Sequence, residues 1–416
     1  MDILKVEGGV SLSGLVSVDG AKNAALPACV ASLLSDEIVV LRNVPLLRDV
    51  STILFTLGDL GKRVVRNDYG VAIGTDGPLA DAANAYSVRK MRASFLVLGP
   101  LVARLGQATV PLPGGCAIGR RPVDLHLDGL RALGASVDER NGTVRVTAGS
   151  LRGACVDLAY PSVGATEQIL MTASLAHGDT EIRNGAIEPE IADLVDLLRK
   201  MGAQIDVDGR TYHVTGRPEL HGAEHTLIPD RMEAGTLLLA AATAGGEAGV
   251  DGAIAAHLMP LLETLDACGI GIDERGKTIR VSTGKALHPV SVETTPHPGM
   301  PTDLHPPLAA FLTRVAGTSR ITETVFERRF TYVDDLRAMG AHIDVQGRTA
   351  TIQGGGVLLG REVTAPDIRA GAALVLAGLS ARGTTTVGGL QQIDRGYARL
   401  EVKLREMGAR IERITV

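Results

Sequence analysis

The segment from residue 111 to 124, PLPGGCAIGRRPVD, carries the residue types that point most directly to chemistry. Its prolines and glycines predict a loop rather than a helix or a strand. Cys116 lies there beside two arginines, and an exposed cysteine in an electropositive loop ionises more readily than one in an apolar core. The other cysteines, Cys29, Cys155 and Cys268, occur in apolar-patterned segments and are predicted to be buried and inert. Cys116 is therefore the candidate reactive thiol.

A second group of candidates begins six otherwise apolar segments. These polar starts are Lys22-Asn23, Arg92, Ser162-Val163-Gly164, Asp230-Arg231, Asp303, and Asp367 with Arg369. A helix N-terminus has unpaired N–H groups and a positive potential, which suit an anionic ligand. Asp and Ser are also ordinary helix caps, so capping and salt bridges between domains remain the alternative for each of these residues.

The elements that must position these residues form an internal repeat. Six segments share the end of a helix, a glycine, a strand, a polar turn and another strand, and their glycines are Gly61, Gly134, Gly202, Gly269, Gly340 and Gly408. The glycine supplies the left-handed residue that ends a helix. Pairs such as Asn141-Gly142, Asp208-Gly209 and Gln346-Gly347 predict hairpin turns. The near-constant spacing predicts six copies of one unit.

The polar-start segments recur half a period out of phase with these glycines and are apolar on nearly all sides, which is typical of fully buried helices. Six units with six buried helices exceed one core, so we expect two domains of three units each. We assign residues 22–229, with the 111–124 loop, to the first domain. Residues 1–21 and 230–416 form the second. If the helices of each domain run parallel, their starts converge, and two such ends facing each other would make a basic cleft.

Composition narrows the classes of function. The 416 residues are 45% hydrophobic with a net charge of −5, which disfavours nucleic-acid binding, so an anionic ligand needs a local basic cluster. The apolar runs are too short to span a membrane, and the first residues do not resemble a signal peptide. Four scattered cysteines predict neither a zinc site nor a disulfide framework. These features favour a cytoplasmic location.

Along essentially its whole length the sequence resembles the UDP-N-acetylglucosamine 1-carboxyvinyltransferases, a family of enolpyruvyl transferases. The motifs that carry the resemblance are GAKNAALP, MRAS, PLPGGCAIGRRPVDLH, PSVGAT, PDRMEAGT, PTD, ITETVFERRF, DIRA and IDRGY. The resemblance implies an α/β fold, a two-domain inside-out α/β barrel built from six βαβαββ-type repeats. It also implies transfer of the enolpyruvyl group of phosphoenolpyruvate to the 3-hydroxyl of UDP-N-acetylglucosamine, with release of phosphate. That reaction is the first committed step of peptidoglycan synthesis.

The resemblance also implies catalytic roles for matched residues. Cys116 matches the loop cysteine that acts as general acid toward the methylene carbon and is the target of fosfomycin. Asp303 matches the carboxylate that takes the proton of the sugar hydroxyl. Lys22, with Arg121 and Arg395, matches the basic residues that hold phosphoenolpyruvate. No metal or redox cofactor enters this scheme, and the expected state is a monomer or a weak homo-oligomer without nucleic-acid or membrane partners.

Substrate contacts are implied in the same way. Arg92 and Arg369 match supporting arginines around phosphoenolpyruvate, and Asn23 matches an amide that contacts the sugar. The matched contacts to uridine and diphosphate are Arg121, Pro122, Asp124, Leu125, Ser162, Val163 and Gly164. Arg231, Val325, Arg329 and Asp367 complete the implied set.

Three positions depart from the family's pattern. His305 stands where a glutamine is usual, Ile187 where a basic residue is frequent, and Arg328 adds a charge beside Arg329. These changes leave the reaction type intact but bear on the acceptor. Two alternatives therefore stay open: a paralogue that acts on another uridine nucleotide in secondary metabolism, and a non-catalytic nucleotide-sugar binder on the same fold.

Overall fold

The computed structural model of the chain describes residues 2–67, 70–113, 119, 122–284 and 286–415. Its α-helices are α1 (Lys22–Ala31), α2 (Arg48–Asp59), α3 (Ala85–Lys90), α4 (Leu98–Leu105), α5 (Asp124–Ala132), α6 (Val163–Ala173), α7 (Pro189–Lys200), α8 (Arg231–Ala244), α9 (Met259–Ala267), α10 (His305–Leu312), α11 (Val333–Ala338), α12 (Ile368–Ser380), α13 (Leu390–Ile393) and α14 (Leu400–Glu406). Short 3₁₀ helices span Ser32–Leu34, Arg92–Val97, Ala255–His257 and Thr302–Leu304.

The strands alternate with these helices along the chain. They are β1 (Asp2–Glu7), β2 (Leu12–Ser17), β3 (Val39–Arg42), β4 (Lys62–Asn67), β5 (Gly70–Thr75), β6 (Gln107–Pro111), β7 (Ser136–Arg140), β8 (Thr143–Thr147), β9 (Cys155–Asp157), β10 (Asp179–Arg183), β11 (Gln204–Asp208), β12 (Thr211–Thr215), β13 (Glu224–Thr226), β14 (Gly246–Asp251), β15 (Gly271–Arg275), β16 (Thr278–Ser282), β17 (Ser291–Thr294), β18 (Gly317–Glu323), β19 (His342–Gln346), β20 (Thr349–Gly354), β21 (Glu362–Thr364), β22 (Thr384–Gly388) and β23 (Arg410–Thr415).

The repeat predicted from the six glycines is confirmed. Each of them follows a helix, namely α2, α5, α7, α9, α11 or α14, and has a φ between 88° and 104°. That left-handed conformation ends the helix at little cost only in glycine. After Gly134, for example, Ala135 N–H donates to Leu130 O across the helix end at 3.0 Å. The chain then enters the first strand of a hairpin.

The hairpin turns are also confirmed, in two forms. Asn141 and Gly142 both have positive φ between the paired residues Arg140 and Thr143. At the other two turns the glycine is the first central residue instead, as at Gly209 between the paired strands β11 and β12. In both forms the turn comprises two residues, as the tight register of the hairpin requires.

Six sheets share one pattern of pairing. In five of them a parallel pair is extended by two antiparallel strands, in the orders β13-β3-β5-β4, β9-β10-β12-β11, β2-β14-β16-β15, β17-β18-β20-β19 and β21-β22-β1-β23. The sixth, β6-β8-β7, has a single parallel bridge from Ala82 to Thr109 in place of the fourth strand. The recurrence of one topology matches the recurrence of one sequence pattern.

Helices occupy the core, as the apolar segments predict. All eight residues of α10 are buried, and so are nearly all of α8 and α12, the two helices against which it packs. Residues of the surrounding strands alternate between buried and exposed, so each sheet turns one face inward. Helices inside and sheets outside are the inside-out α/β arrangement. Two predicted helices differ at their starts, because the chain is 3₁₀ from Arg92 to Val97 before α4 and from Thr302 to Leu304 before α10.

The described residues fall into two compact units. One contains 20–113 and 122–228; the other contains 2–19, 119 and 229–415. The N-terminal strands belong to the second unit, because β1 pairs with β22 and β23 and β2 pairs with β14. Residues 20 and 21, which the sequence assigned to the second domain, lie in the first unit, where Ala21 N–H donates to Ile228 O.

The described ranges contain neither a membrane-spanning helix nor a cluster of metal-binding side chains. Among the helices of these residues, none combines the length and the apolar character needed to cross a bilayer. No group of three or more His, Cys, Asp or Glu side chains in the same ranges is arranged to hold a metal ion.

Candidate functional site

Asp303 lies in a cluster of charges in the unit that contains residues 229–415. Its two carboxylate oxygens accept hydrogen bonds from different arginines: Arg329 Nη2 at 2.5 Å, and Arg369 Nε and Nη2 at 3.1 and 2.9 Å. The arginines are 2% and 3% exposed, whereas the Asp303 side chain is 29% exposed. The Asp303 carboxylate thus compensates the charge of two buried guanidinium groups and is itself partly exposed to solvent.

The local structure explains how these residues meet. Asp303 is in the 3₁₀ turn Thr302–Leu304 that leads into α10, and Arg369 is the second residue of α12. Because α10 and α12 pack together, the starts of the two helices bring the carboxylate and the guanidinium side by side. Arg329 comes from the segment after β18 and is fixed by a bond from its Nε to Thr302 O at 3.0 Å.

The neighbouring arginines 328 and 329 have different environments. Arg329 is among the largest fully buried side chains, and Arg328 is exposed. The additional charge in the sequence therefore points away from the carboxylate cluster, and Arg329 takes the position next to Asp303.

Helix capping accounts for three of the polar helix starts. Asp230 Oδ1 accepts from Met232 N and Glu233 N at 2.7 and 3.0 Å, and Asp367 Oδ1 accepts from Arg369 N and Ala370 N at 2.9 and 3.0 Å. Ser162 caps α6 more loosely, with 3.4 Å from Ala165 N to its Oγ. Capping is therefore observed at these three positions, and their contact with a ligand stays a prediction. Asp367 Oδ2 is further engaged by Thr331 Oγ1 at 2.6 Å.

A buried polar chain begins two residues after Asp303. His305 is fully buried, with Nδ1 2.9 Å from Glu323 Oε2 and Nε2 2.8 Å from the Tyr332 hydroxyl. Burial lowers the pKa of His305, against the opposing effect of Glu323. Burial would raise the pKa of Glu323, but bonds from His305, Phe326 and Thr302 outweigh it and lower it to about 2. Sequence analysis marked His305 as a departure but missed Glu323 and Tyr332.

Other implied contacts in this unit have simpler surroundings. Arg231 is buried in the first turn of α8. Val325 is half-buried, and its N–H donates to Glu323 Oε1 at 2.8 Å. Arg395 is half-buried after α13, where its Nη1 donates to Gln392 Oε1 at 3.2 Å. Two more cations therefore lie at the starts and ends of helices in this unit.

The unit that contains residues 20–113 and 122–228 supplies a buried lysine. Lys22 is the first residue of α1, is 8% exposed and has its Nζ 3.3 Å from Asp49 Oδ2. Asn23 follows it and is half-buried. No side chain caps α1, since the residue before it is Ala21. The start of this helix therefore combines a cation and an amide with backbone N–H groups.

Arg92 is hydrogen-bonded to a residue near the C-terminal end of the 111–124 segment. Its Nη2 donates to Pro122 O at 2.7 Å. Asp124 then begins α5 as an exposed residue in its first turn, and Leu125 beside it is half-buried. A carboxylate in the first turn also suits the helix dipole, so Asp124 stabilises α5 whether or not it contacts a ligand.

At Gly164, in the turn 162–164, a side chain would clash with a neighbouring imidazole. A Cβ at Gly164 would lie 2.9 Å from Cε1 of His126, which is buried and has Nδ1 3.2 Å from Gln168 Oε1. Both Ser162 and Val163 are half-buried. The start of α6 is therefore partly open, with a backbone that only glycine allows so near the imidazole.

Carboxylates near Arg92 were not anticipated from the sequence. Glu167 is fully buried in α6, and its pKa is raised well above the ordinary value by burial and then by Glu190 and Glu188, while Arg92 opposes the shift. Perturbed carboxyls of this kind cluster at functional sites and in structural networks alike. The sequence signal, a Glu inside an apolar helix, was present in SVGATEQ.

The cysteine predictions have mixed outcomes. Cys116, like Arg121, lies outside the described residues. Cys29 and Cys268 are buried, as predicted, and burial raises the pKa of each thiol to about 12. The prediction for Cys155 was wrong: it is exposed in the three-residue strand β9, whose alternating pattern buries Val156 instead.

This fold and these residues place the chain in a known class. It belongs to the EPSP synthase (3-phosphoshikimate 1-carboxyvinyltransferase) family, whose family model matches residues 6–404. Among its relatives, "UDP-N-acetylglucosamine 1-carboxyvinyltransferase 2" of Carboxydothermus hydrogenoformans is 48% identical over 418 residues, and "UDP-N-acetylglucosamine 1-carboxyvinyltransferase" of Azorhizobium caulinodans is 47% identical over 428. Each match covers all of both chains. The chain is therefore a transferase.

Solved structures agree with the fold. The enolpyruvyl transferase NikO from Streptomyces tendae superposes with a TM-score of 0.90 at 25% identity, over all of this chain and 99% of that one. EPSP synthase from Acinetobacter baumannii superposes with a TM-score of 0.78 at 19% identity over the full length of both. The predicted enolpyruvyl transferase fold is confirmed.

Proposed function

We propose that this chain transfers the enolpyruvyl group of phosphoenolpyruvate to the 3-hydroxyl of UDP-N-acetylglucosamine and releases phosphate, in the cytoplasm and without a metal or organic cofactor. Relatives that are 47–48% identical over the full length and carry this activity in their names support the acceptor. One structural observation carries the proposal: Asp303 reaches solvent at the start of α10 while two buried arginines hold both of its oxygens. The reaction would supply the first committed step of peptidoglycan synthesis.

The chemistry assigns Asp303 the role of base. Addition of the sugar hydroxyl to C2 of phosphoenolpyruvate requires removal of the hydroxyl proton as the C–O bond forms. Arg329 and Arg369 fix the position of this carboxylate, whose side chain is 29% exposed. Fixing the base in this way lowers the entropic cost of reaching the reacting geometry.

The remaining steps need a proton donor and cations. Cys116 is proposed to deliver a proton to C3, which makes C2 electrophilic. In the elimination, the thiolate is proposed to recover a proton from the C3 methyl group as phosphate leaves C2 and the vinyl double bond re-forms. Lys22, Arg121 and Arg395 are proposed to hold the phosphate and carboxylate, with Arg92 in support, because departure of a phosphate dianion needs positive charge around it. Asn23, the turn 162–164 and residues 122–125 are proposed to bind the UDP-sugar, with Arg231, Val325 and Asp367 alongside.

Phosphate release tests the proposal directly. The full-length protein is mixed with phosphoenolpyruvate and UDP-N-acetylglucosamine, and inorganic phosphate and the enolpyruvyl product are measured together. Equal amounts of both are expected. Tight binding of the UDP-sugar without phosphate release would instead favour the non-catalytic binder.

A second candidate acceptor is another uridine nucleotide. The departure from the family's pattern at Ile187 is the reason to test it. Phosphate release with UMP in place of UDP-N-acetylglucosamine discriminates the two, since a residue in the acceptor pocket changes kcat/KM for one nucleotide relative to the other. We expect UDP-N-acetylglucosamine to give the higher kcat/KM.

A further inference from the structure

One buried carboxylate joins the two segments that flank the Asp303 cluster. Glu323, the last residue of β18, is fully buried and uses both oxygens. Oε2 accepts from Thr302 Oγ1 and from His305 Nδ1, each at 2.9 Å. Oε1 accepts from the backbone N–H groups of Val325 and Phe326 at 2.8 and 3.0 Å. The Glu323 carboxylate therefore links the residues on either side of Asp303 to the turn that begins at Val325.

The pattern of donors assigns the proton positions on His305. Glu323, with four donors around it, is an ionised acceptor, so the imidazole must carry its proton on Nδ1. Nε2 is then an acceptor, and the Tyr332 hydroxyl, 2.8 Å away, donates to it. One neutral tautomer therefore satisfies every hydrogen bond in the chain from Tyr332 through His305 to Glu323. Buried polar networks define a geometry best when every member is satisfied.

We propose that His305 and Glu323 are positioning residues, which fix the Thr302–Asp303 turn so that Asp303 meets the acceptor hydroxyl. They act through Asp303 and do not touch substrate. Arg329 completes the arrangement from the other side, since its Nε holds Thr302 O at 3.0 Å while its Nη2 holds Asp303. The turn is thus held through its backbone by Arg329 and through the Thr302 hydroxyl by Glu323. The inference rests on the proposed function, because Asp303 must be the base.

Glutamine is the informative replacement at position 305. Its planar amide offers a donor and an acceptor, as the neutral imidazole does, so His305→Gln can bond both Glu323 and Tyr332. His305→Ala can bond neither and leaves the buried Glu323 with one donor fewer. The comparison separates loss of the network from loss of the imidazole itself.

A matched control exists in the other compact unit. His225 is 4% exposed, with Nε2 3.0 Å from Asp193 Oδ1 and Nδ1 3.1 Å from Lys200 Nζ. It is thus another buried histidine between a carboxylate and a second polar partner. His225→Ala should lower the melting temperature and leave kcat at the wild-type value.

The experiment measures kcat, KM for both substrates and Tm for the full-length wild type, His305→Ala, His305→Gln and His225→Ala. A misplaced base costs turnover more than binding, so His305→Ala should lose roughly tenfold to a hundredfold in kcat with KM changed by less than about threefold. His305→Gln should restore kcat to within about threefold of wild type. If His305→Ala does not fold, Glu323→Gln and Tyr332→Phe, which keep the side-chain volume, are measured instead and should lower kcat.

Several results would overturn the inference. The first is a wild-type kcat in a folded His305→Ala or, if that variant does not fold, in both Glu323→Gln and Tyr332→Phe. The second is a kcat for His305→Gln that is no higher than that for His305→Ala. The third is a loss of kcat in His225→Ala equal to the loss in His305→Ala. Failure of the proposed function is distinct, because the wild type itself would then release no phosphate from phosphoenolpyruvate and UDP-N-acetylglucosamine.

Discussion

Asp303 and Arg369 are joined by two hydrogen bonds from one guanidinium to one carboxylate oxygen, across 66 residues of sequence. The arginine is buried, whereas the carboxylate side chain is 29% exposed. Opposite charges offset the cost of burying the arginine. The pair therefore compensates the charge of a buried arginine and fixes the orientation of the proposed base.

Asp303→Asn should abolish turnover while it leaves the affinity for the UDP-sugar within about tenfold, because the amide keeps the shape but cannot take a proton. The measurement is phosphate release together with the Kd of UDP-N-acetylglucosamine by calorimetry. Turnover near the wild-type rate in the variant would mean that another group is the base.

Arg329→Gln and Arg328→Gln, at adjacent positions, should differ in their effect on the free energy of unfolding. Removing the buried Arg329 leaves Asp303 with one cation fewer and should cost about 3 kcal/mol of unfolding free energy. Removing the exposed Arg328 should change that free energy by no more than about 0.5 kcal/mol. Urea unfolding and kcat are measured for both, and similar losses in the two variants would contradict the environments found for these residues.

The repeats could be predicted from the sequence because their signals are local. A glycine after an amphipathic helix marks the helix end wherever it occurs, and an apolar segment with no polar face must be buried. The pairing of Asp303 with Arg329 and Arg369 could not be predicted from such patterns, since it depends on how α10 and α12 pack. Resemblance implied the residues but not their contacts. Cys155 was misassigned because a three-residue strand has too few positions to tell its inward from its outward face.

The pKa of Glu323, about 2, gives a dependence of stability on pH with a definite sign. The folded-state pKa is below the ordinary 4.5, so the ionised carboxylate contributes stability above about pH 4.5 and loses it as the pH falls toward 2.

Urea unfolding of the wild type and Glu323→Gln between pH 8 and pH 3 tests this dependence. The gap in unfolding free energy between the two proteins should be constant at the alkaline end and should narrow below about pH 4.5. A gap that stays constant or widens on acidification would show that folding does not lower the pKa of Glu323.

Gly216 follows β12 where the chain passes the end of α6, and a Cβ there would lie 1.5 Å from Ala176 O. Because the Ala176 oxygen belongs to the backbone, Gly216→Ala must displace the chain. The substitution should cost about 3 kcal/mol of unfolding free energy. Gly149 is exposed with nothing within 4 Å of its Cβ position, so Gly149→Ala should change stability by no more than about 1 kcal/mol. Thermal melting of both proteins checks the contrast, and equal melting temperatures would contradict it.

The proposed role of Cys116 makes the last prediction, which concerns its reaction with an epoxide. Protonation of C3 needs an acid, whereas opening an epoxide needs a soft nucleophile. A cysteine provides both, because its thiol is the acid and its thiolate is the nucleophile. Fosfomycin should therefore inactivate the wild type irreversibly. Cys116→Asp should keep measurable transfer and resist the compound, because a carboxyl still donates a proton but reacts poorly with an epoxide. Cys116→Ala should lose turnover.

The other cysteines serve as internal controls for this experiment. Cys155 is the exposed thiol among those described, while burial raises the pKa of Cys29 and Cys268 to about 12, which suppresses their thiolates. Peptide mass spectrometry after treatment should thus place the added mass on the peptide that contains Cys116 and leave Cys155 unmodified. If the adduct formed on Cys155 instead, exposure alone would explain the labelling and the assignment of Cys116 would be wrong. Full activity in Cys116→Ala would be equally decisive, because the loop would then contain no group able to protonate C3.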